Sequence, residues 1–174
     1  MSDDGFHAYF SRIADTRYLV RKVFRLIDEE ARNAGLDPLE HQALIQLFGA
    51  TGRTLQMKDL ASRLDVGADV ASKTVRSLER KGFALRSRAE VDRRGINVRP
   101  TEEAEELLAA IDRRVRADIA RLQRGLPRPL QLAALQMFAF YLGLSVDADI
   151  LEGIEVRPIE LSPGWGAGAL PPAT

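Results

Sequence analysis

Five side chains between residues 68 and 81 carry groups suited to a polyanion: Ser72, Lys73, Arg76, Ser77 and Arg80. At helical spacing they share the side opposite Val70, Ala71, Val75 and Leu78. Short hydroxyls and long cations reach base edges and phosphates from a helix lying in a major groove. A second group follows in Glu90-Val91-Asp92-Arg93-Arg94-Gly95, a polar turn with two adjacent guanidiniums. Arginine at a loop tip suits a narrow minor groove, where the potential is most negative. Asp92, in the same turn, is placed to brace Arg94, which leaves Arg93 for the backbone.

Residues 54–99 must supply the elements that aim these groups. Thr54 is an acceptable N-cap for a helix running to about Leu64, with Leu55, Leu60, Ala61 and Leu64 on its apolar side. Asp65 and Val66 make a tight turn, Gly67 caps a helix over 68–81, and Gly82 is the left-handed stop. Phe83 to Arg88 and Ile96 to Arg99 alternate apolar and polar residues as half-buried strands do. Helix, short turn, helix and basic hairpin together make a winged helix-turn-helix, a DNA-reading unit.

The flanks are helical. Residues 6–32 read as one amphipathic helix with Phe6, Phe10, Ile13, Val20, Val23, Phe24, Ile27 and Ala31 on one side, ended by Gly35. Asp37-Pro38-Leu39-Glu40 is a helix start with cap, N1 proline and N3 glutamate, and that helix runs to Phe48 beneath the reading helix. His41, in its first turn, reads as a partly exposed helix residue, with pocket lining as the alternative. Thr101 caps a helix from 102 to about 124, whose stripe is Leu107, Leu108, Ile111, Val115, Ile119 and Leu122. Residues 125–129 (GLPRP) break the chain, and Leu130 to Leu144 forms a last helix with Ala133, Ala134, Met137, Phe138, Tyr141 and Leu142 inward. From about Glu152 the chain is Pro/Gly-rich and will not fold alone. Its Ile154, Val156, Ile159, Leu161 and Trp165 could dock as an arm on a partner subunit.

The 174 residues balance 25 Lys/Arg against 25 Asp/Glu, yet the charges are segregated. Residues 51–99 hold 12 basic and 6 acidic side chains, a net of +6 between flanks of −2 and −4. That is the footprint of a DNA-contacting module on a neutral scaffold. No cysteine is present, which excludes a thiol redox switch. Two histidines, His7 and His41, argue against a His-built metal site. No Gly-rich phosphate loop follows a strand and no carboxylate pair stands out, so neither catalysis nor a cofactor is expected. No apolar run reaches the ~18 to 20 residues of a membrane span. The acidic N-terminus lacks a signal pattern, and a cytoplasmic protein is expected.

Leu60-Ala61-Ser62-Arg63-Leu64, Ser72-x-x-Val75-x-x-Leu78-Glu79-x-Lys81-Gly82-Phe83, Arg86, Asp92-Arg93-Arg94 and Thr101 follow one another at a spacing that resembles the MarR family of transcriptional regulators. The resemblance covers roughly residues 36–110. Gly67-Ala68 depart from it, standing where the family often has serine and a basic residue, as do Pro100 and Ala104. It implies a mostly α fold with a small β-hairpin wing: a winged helix-turn-helix over 36–100, a helical dimerisation region from 1–35 and 101–150, and a tail over 151–174. It further implies a homodimer whose N- and C-terminal helices interlock across a two-fold axis. Two reading helices then meet a pseudo-palindromic operator in double-stranded DNA. The implied function is a ligand-responsive regulator, most simply a repressor released by a small aromatic acid, a phenol or an aromatic acyl-CoA thioester. Phe6, His7, Phe10, Arg17, Tyr18 and His41 are the residues expected near such an effector, because an aromatic anion needs an apolar slot and a cation. The alternative is a winged-helix interaction module, or a DNA-binding protein that answers to no ligand.

Overall fold

Helices start and stop where side chains or turns can satisfy the backbone groups their ends leave unpaired. The computed structural model describes residues 3–88 and 95–144. Helix α1 (Asp3–Asn33) ends as the chain turns through Gly35 at φ +80°, with the Leu36 amide donating to the Ala31 carbonyl at 2.9 Å. Helix α2 (Pro38–Gly49) opens on the expected capping box. Asp37 Oδ1 accepts from the Leu39 amide at 3.0 Å, and the Asp37 amide donates to Glu40 Oε2 at 2.7 Å.

The next segment departs from expectation. Thr54 caps no helix; its Oγ1 donates to the Gly52 carbonyl at 3.1 Å, after a 3-10 turn over Thr51–Arg53. Leu55 and Gln56 form a short strand, β1 (Leu55–Gln56), and helix α3 (Met57–Arg63) begins only after it. Leu55 pairs with Val98 and Gln56 with Asn97, so distant backbone partners outweigh a local cap. Helix α4 (Ala68–Arg80) starts at an extended Gly67 and stops at Gly82, φ +78°. Its buried stripe is Ala71, Thr74, Val75 and Leu78. Val70 is 43% exposed rather than inward. Thr74 takes that place because its hydroxyl donates to the Val70 carbonyl at 3.0 Å, which lets its methyl be buried without an orphaned oxygen.

Strands β2 (Ala84–Arg88) and β3 (Ile96–Pro100) pair antiparallel, with Arg86 opposite Val98. The sheet therefore has three strands in the order β1-β3-β2 instead of a lone hairpin. Thr101 links wing and flank: its Oγ1 donates to the Gly82 carbonyl at 2.8 Å and accepts from the Ala104 amide at 3.3 Å. Helix α5 (Glu102–Arg124) follows. The last helix, α6 (Arg128–Tyr141), starts two residues earlier than read from the sequence. Pro129 falls in its first turn, where a missing N–H costs no hydrogen bond. Among the described side chains of α6, Ala134 and Ala139 are buried, whereas Phe138, Tyr141 and Leu142 are exposed rather than inward. Leu130, Leu132 and Met137 lie between these extremes, half-buried.

Leu26–Val115 form one compact unit; the first part of α1, the last part of α5 and α6 belong to the other. In the former, Leu36, Leu44, Leu47, Leu60, Val75, Leu78, Val98 and Ile111 are fully buried. At roughly 1.5–3 kcal/mol each, these residues from α2, α3, α4, β3 and α5 are what fix the reading helix on its support.

Candidate nucleic-acid interface

Helix α4 packs against α2 and α3 through its buried stripe, which leaves one face outward. Lys73, Arg76 and Arg80 are exposed on it. Together with Glu79 and with Arg86 of β2 they line a single open depression of about 420 Å³. Four cations against one carboxylate make this a surface for anions. Arg86, which the sequence pattern places only in the family resemblance, joins this face. The signal was its place on a strand directly after the recognition helix, readable only once Gly82 is known to fold β2 back beside α4.

The hydroxyls on this helix are already engaged. Ser72 Oγ accepts from Arg76 at 3.1 Å, which pre-sets the guanidinium. Ser77 accepts from Arg80 at 3.4 Å and is also a hydrogen-bonding neighbour of Glu40, so it is half-turned toward α2. Arg86 meets Glu79 Oε2 at 2.6 Å. Lys73 is held by no such partner on its own helix. Asp92, Arg93 and Arg94 lie outside the described residues.

At its far end α4 is anchored. Lys81 Nζ donates to Glu40 Oε2 at 2.6 Å and to the Gly35 carbonyl at 2.8 Å. Burial pushes the Glu40 carboxyl up, but bonds from Lys81, Ser77 and the Asp37 amide outweigh it, and the net shift is down.

The residues expected near an effector fall in both compact units. His41 is 5% exposed, so it is a core residue and not a partly exposed one. It sits where α2 faces inward; burial lowers its pKa below 6.5, opposed by Asp28 and Asp112. Phe6, His7, Phe10 and Tyr18 are exposed along α1. The Phe6 and Phe10 rings meet at a tilt with centroids 4.7 Å apart, Tyr9 meets Phe10 edge-on at 5.3 Å, and Lys22 lies over Tyr18 at 5.9 Å. Of the six, Arg17 lines a groove of about 400 Å³ between α1 and α6. Its apolar walls are Val20, Met137, Phe138 and Tyr141, with Thr16 and Arg21 completing the lining.

A helix-turn-helix carrying one exposed basic face, with a three-stranded wing beside it, defines a winged helix-turn-helix protein. Residues 34–95 match the model of the MarR family, and this segment is a MarR-type winged helix. Solved structures share the fold. AbsC, a MarR family transcriptional regulator from Streptomyces coelicolor, is 20% identical over 82% of this chain and 94% of its own, TM-score 0.63. Sco3205, a MarR family regulator of the same organism in complex with DNA, is 20% identical over 85% and 92%, TM-score 0.61. Wild-type MarR from E. coli in its apo form is 19% identical over 72% and 92%, TM-score 0.61. No curated protein matches the chain. No described helix is long and apolar enough to cross a membrane.

Proposed function

We propose that the protein is a homodimeric, ligand-responsive repressor that binds a pseudo-palindromic operator and is released by a small aromatic acid, phenol or aromatic acyl-CoA thioester. The observation that carries the DNA half of this reading is the convergence of Lys73, Arg76, Arg80 and Arg86 on one exposed face of a helix whose opposite face is buried. In this reading α4 enters the major groove, Lys73 and Arg76 meet base edges, and Ser72 and Ser77 hold guanidiniums in place. Arg80 and Arg86 meet phosphates. Arg94, braced by Asp92, enters the minor groove, and Arg93 meets the backbone.

The dimer half is supported by apolar side chains the single chain leaves outside: Phe6, Phe10 and Phe24 on α1, Phe138 and Tyr141 on α6. Residues 1–35 and 101–150 would form the interface, and the two copies of α4 would then address half-sites about one helical turn apart, ~34–36 Å. Binding there would exclude polymerase, and an effector that changes the spacing of the two helices would lower DNA affinity. Selection from random duplex DNA tests the reading. An enriched inverted repeat with half-sites about 10 base pairs apart is expected; recovery of unenriched sequence would refute it.

A further inference from the structure

The stripe of α4 that lies opposite its buried side runs Asp69, Lys73, Arg76 and Arg80, and all four residues are exposed. Three are cations. Asp69, at the N-terminal end, is a carboxylate whose side chain meets no partner among the described residues. The other acid on this side of the helix, Glu79, is neutralised by Arg86 at 2.6 Å. An acid in the first turn suits the positive end of a helix, and Asp59 stands likewise in the first turn of α3. An acid at residue 68 or 70 would give the same benefit from off the stripe. At residue 69 it stands on the stripe itself, where an unpaired carboxylate repels phosphates. Gly67 and Ala68 ahead of it are small and exposed, and a Cβ added at Gly67 would meet nothing within 4 Å. A helix that begins with so little bulk can bring its first turn close to a base edge. A short aspartate reaches a base only from close by, and the first residues of a reading helix are the ones that contact base edges.

We infer that Asp69 reads cytosine: its carboxylate accepts a hydrogen bond from the exocyclic amino group of one cytosine in each half-site of the operator. Base chemistry selects this partner, because an ionised carboxylate can only accept. In the major groove guanine offers two acceptors, and thymine an acceptor and a methyl group. Adenine offers an amino group beside the N7 acceptor, whereas cytosine offers its amino group alone. The inference rests on the proposed reading of α4 as a major-groove helix and adds a base-specific acceptor to it. Lys73 and Arg76, as donors, favour guanine. With Asp69 one turn ahead of Lys73, the stripe presents an acceptor and then donors along one groove.

The test is selection from random duplex DNA with the full chain as wild type, Asp69→Asn and Asp69→Ala. Fluorescence anisotropy at fixed salt then compares the wild-type consensus with one arbitrary duplex. Asp69 is exposed, so neither change removes a buried contact. Wild type is expected to fix one cytosine per half-site. Asp69→Asn is expected to exchange that cytosine for adenine, whose edge suits an amide that both donates and accepts. Asp69→Ala is expected to tolerate any base there, to weaken the consensus by about 5- to 150-fold, and to tighten the arbitrary duplex. The opposite signs are diagnostic: losing a negative charge favours every phosphate, and only a lost base contact outweighs that gain. If both variants return the wild-type consensus, or if Asp69→Ala tightens consensus and arbitrary duplex alike, Asp69 is a solvated helix-end charge. The inference then fails while sequence reading by α4 stands. If wild type enriches no sequence at all, the reading of the protein as an operator-binding repressor fails, and the inference with it.

Discussion

Lys81 and Glu40 meet at 2.6 Å, and the same ammonium holds the Gly35 carbonyl at 2.8 Å. One side chain at the end of the recognition helix thus closes both the turn after α1 and the capping box of α2. Glu40 serves three donors at once: Lys81, the Asp37 amide and Ser77. Glu40→Ala should therefore cost roughly 2–4 kcal/mol in urea unfolding, combining a lost buried partner with a lost cap. Lys81→Met should cost less, roughly 1–2 kcal/mol, because Lys81 is a third exposed and Glu40 keeps its other donors. Equal costs would contradict this division.

Glu40 and His41, both buried, make different pH predictions. Glu40 is held below its ordinary carboxylate value by Lys81, Ser77 and Asp37 against the effect of burial. Its contribution is complete above about pH 4.3 and is lost as the pH falls through the lower folded value. His41 is lowered by burial, with Asp28 and Asp112 opposing. A buried neutral imidazole is stabilising relative to its charged form, so stability is full above 6.5 and declines as the pH falls from there toward the folded value. Urea midpoints from pH 7.5 to 5 should fall in the wild type and fall less in His41→Gln. A parallel decline in both proteins would show that another group titrates.

Glu79 tests how the basic face is tuned. It holds Arg86 at 2.6 Å inside the depression formed with Lys73, Arg76 and Arg80. Glu79→Gln should free one cation, tighten binding to arbitrary duplex DNA and steepen the salt dependence by about 0.9 in log–log slope, one phosphate's worth. An unchanged slope would mean that Arg86 never reaches the backbone.

Assembly has its own test. Sedimentation at micromolar concentration should show a dimer, and burying the aromatics of α1 and α6 should bring its interface to about 2,000 Å² or more, the range of obligate pairs. A folded monomer under those conditions would contradict the proposed dimer.

Much of the DNA-reading module was legible because its signals are local. Asp37-Pro38-Leu39-Glu40, Gly67 and Gly82 each act within one turn, and all three sit where expected. What escaped depends on partners far along the chain. Leu55 becomes a strand only because Val98 is beside it, and this denies Thr54 its cap. His41 is polar in sequence and buried in space, because α2 turns that side inward, where burial favours the neutral imidazole. Ser77 has the right type for a groove contact, but Glu40 lies within its reach. On α6 the apolar stripe was visible, while the side on which a single chain could cover it was not: Ala139 is buried and Phe138 is not.

The most direct measurement is the affinity of wild type and Arg76→Ala for a selected operator, for its single-base variants and for a scrambled duplex, by fluorescence anisotropy at fixed salt. A base-reading Arg76 predicts wild-type preference for the operator of about 10³-fold or more. It also predicts a loss of about 1–3 kcal/mol in Arg76→Ala that is concentrated at one base position, which then tolerates substitution. Equal affinity for operator and scrambled DNA, or an Arg76→Ala loss spread evenly over every duplex, would contradict sequence reading by this helix.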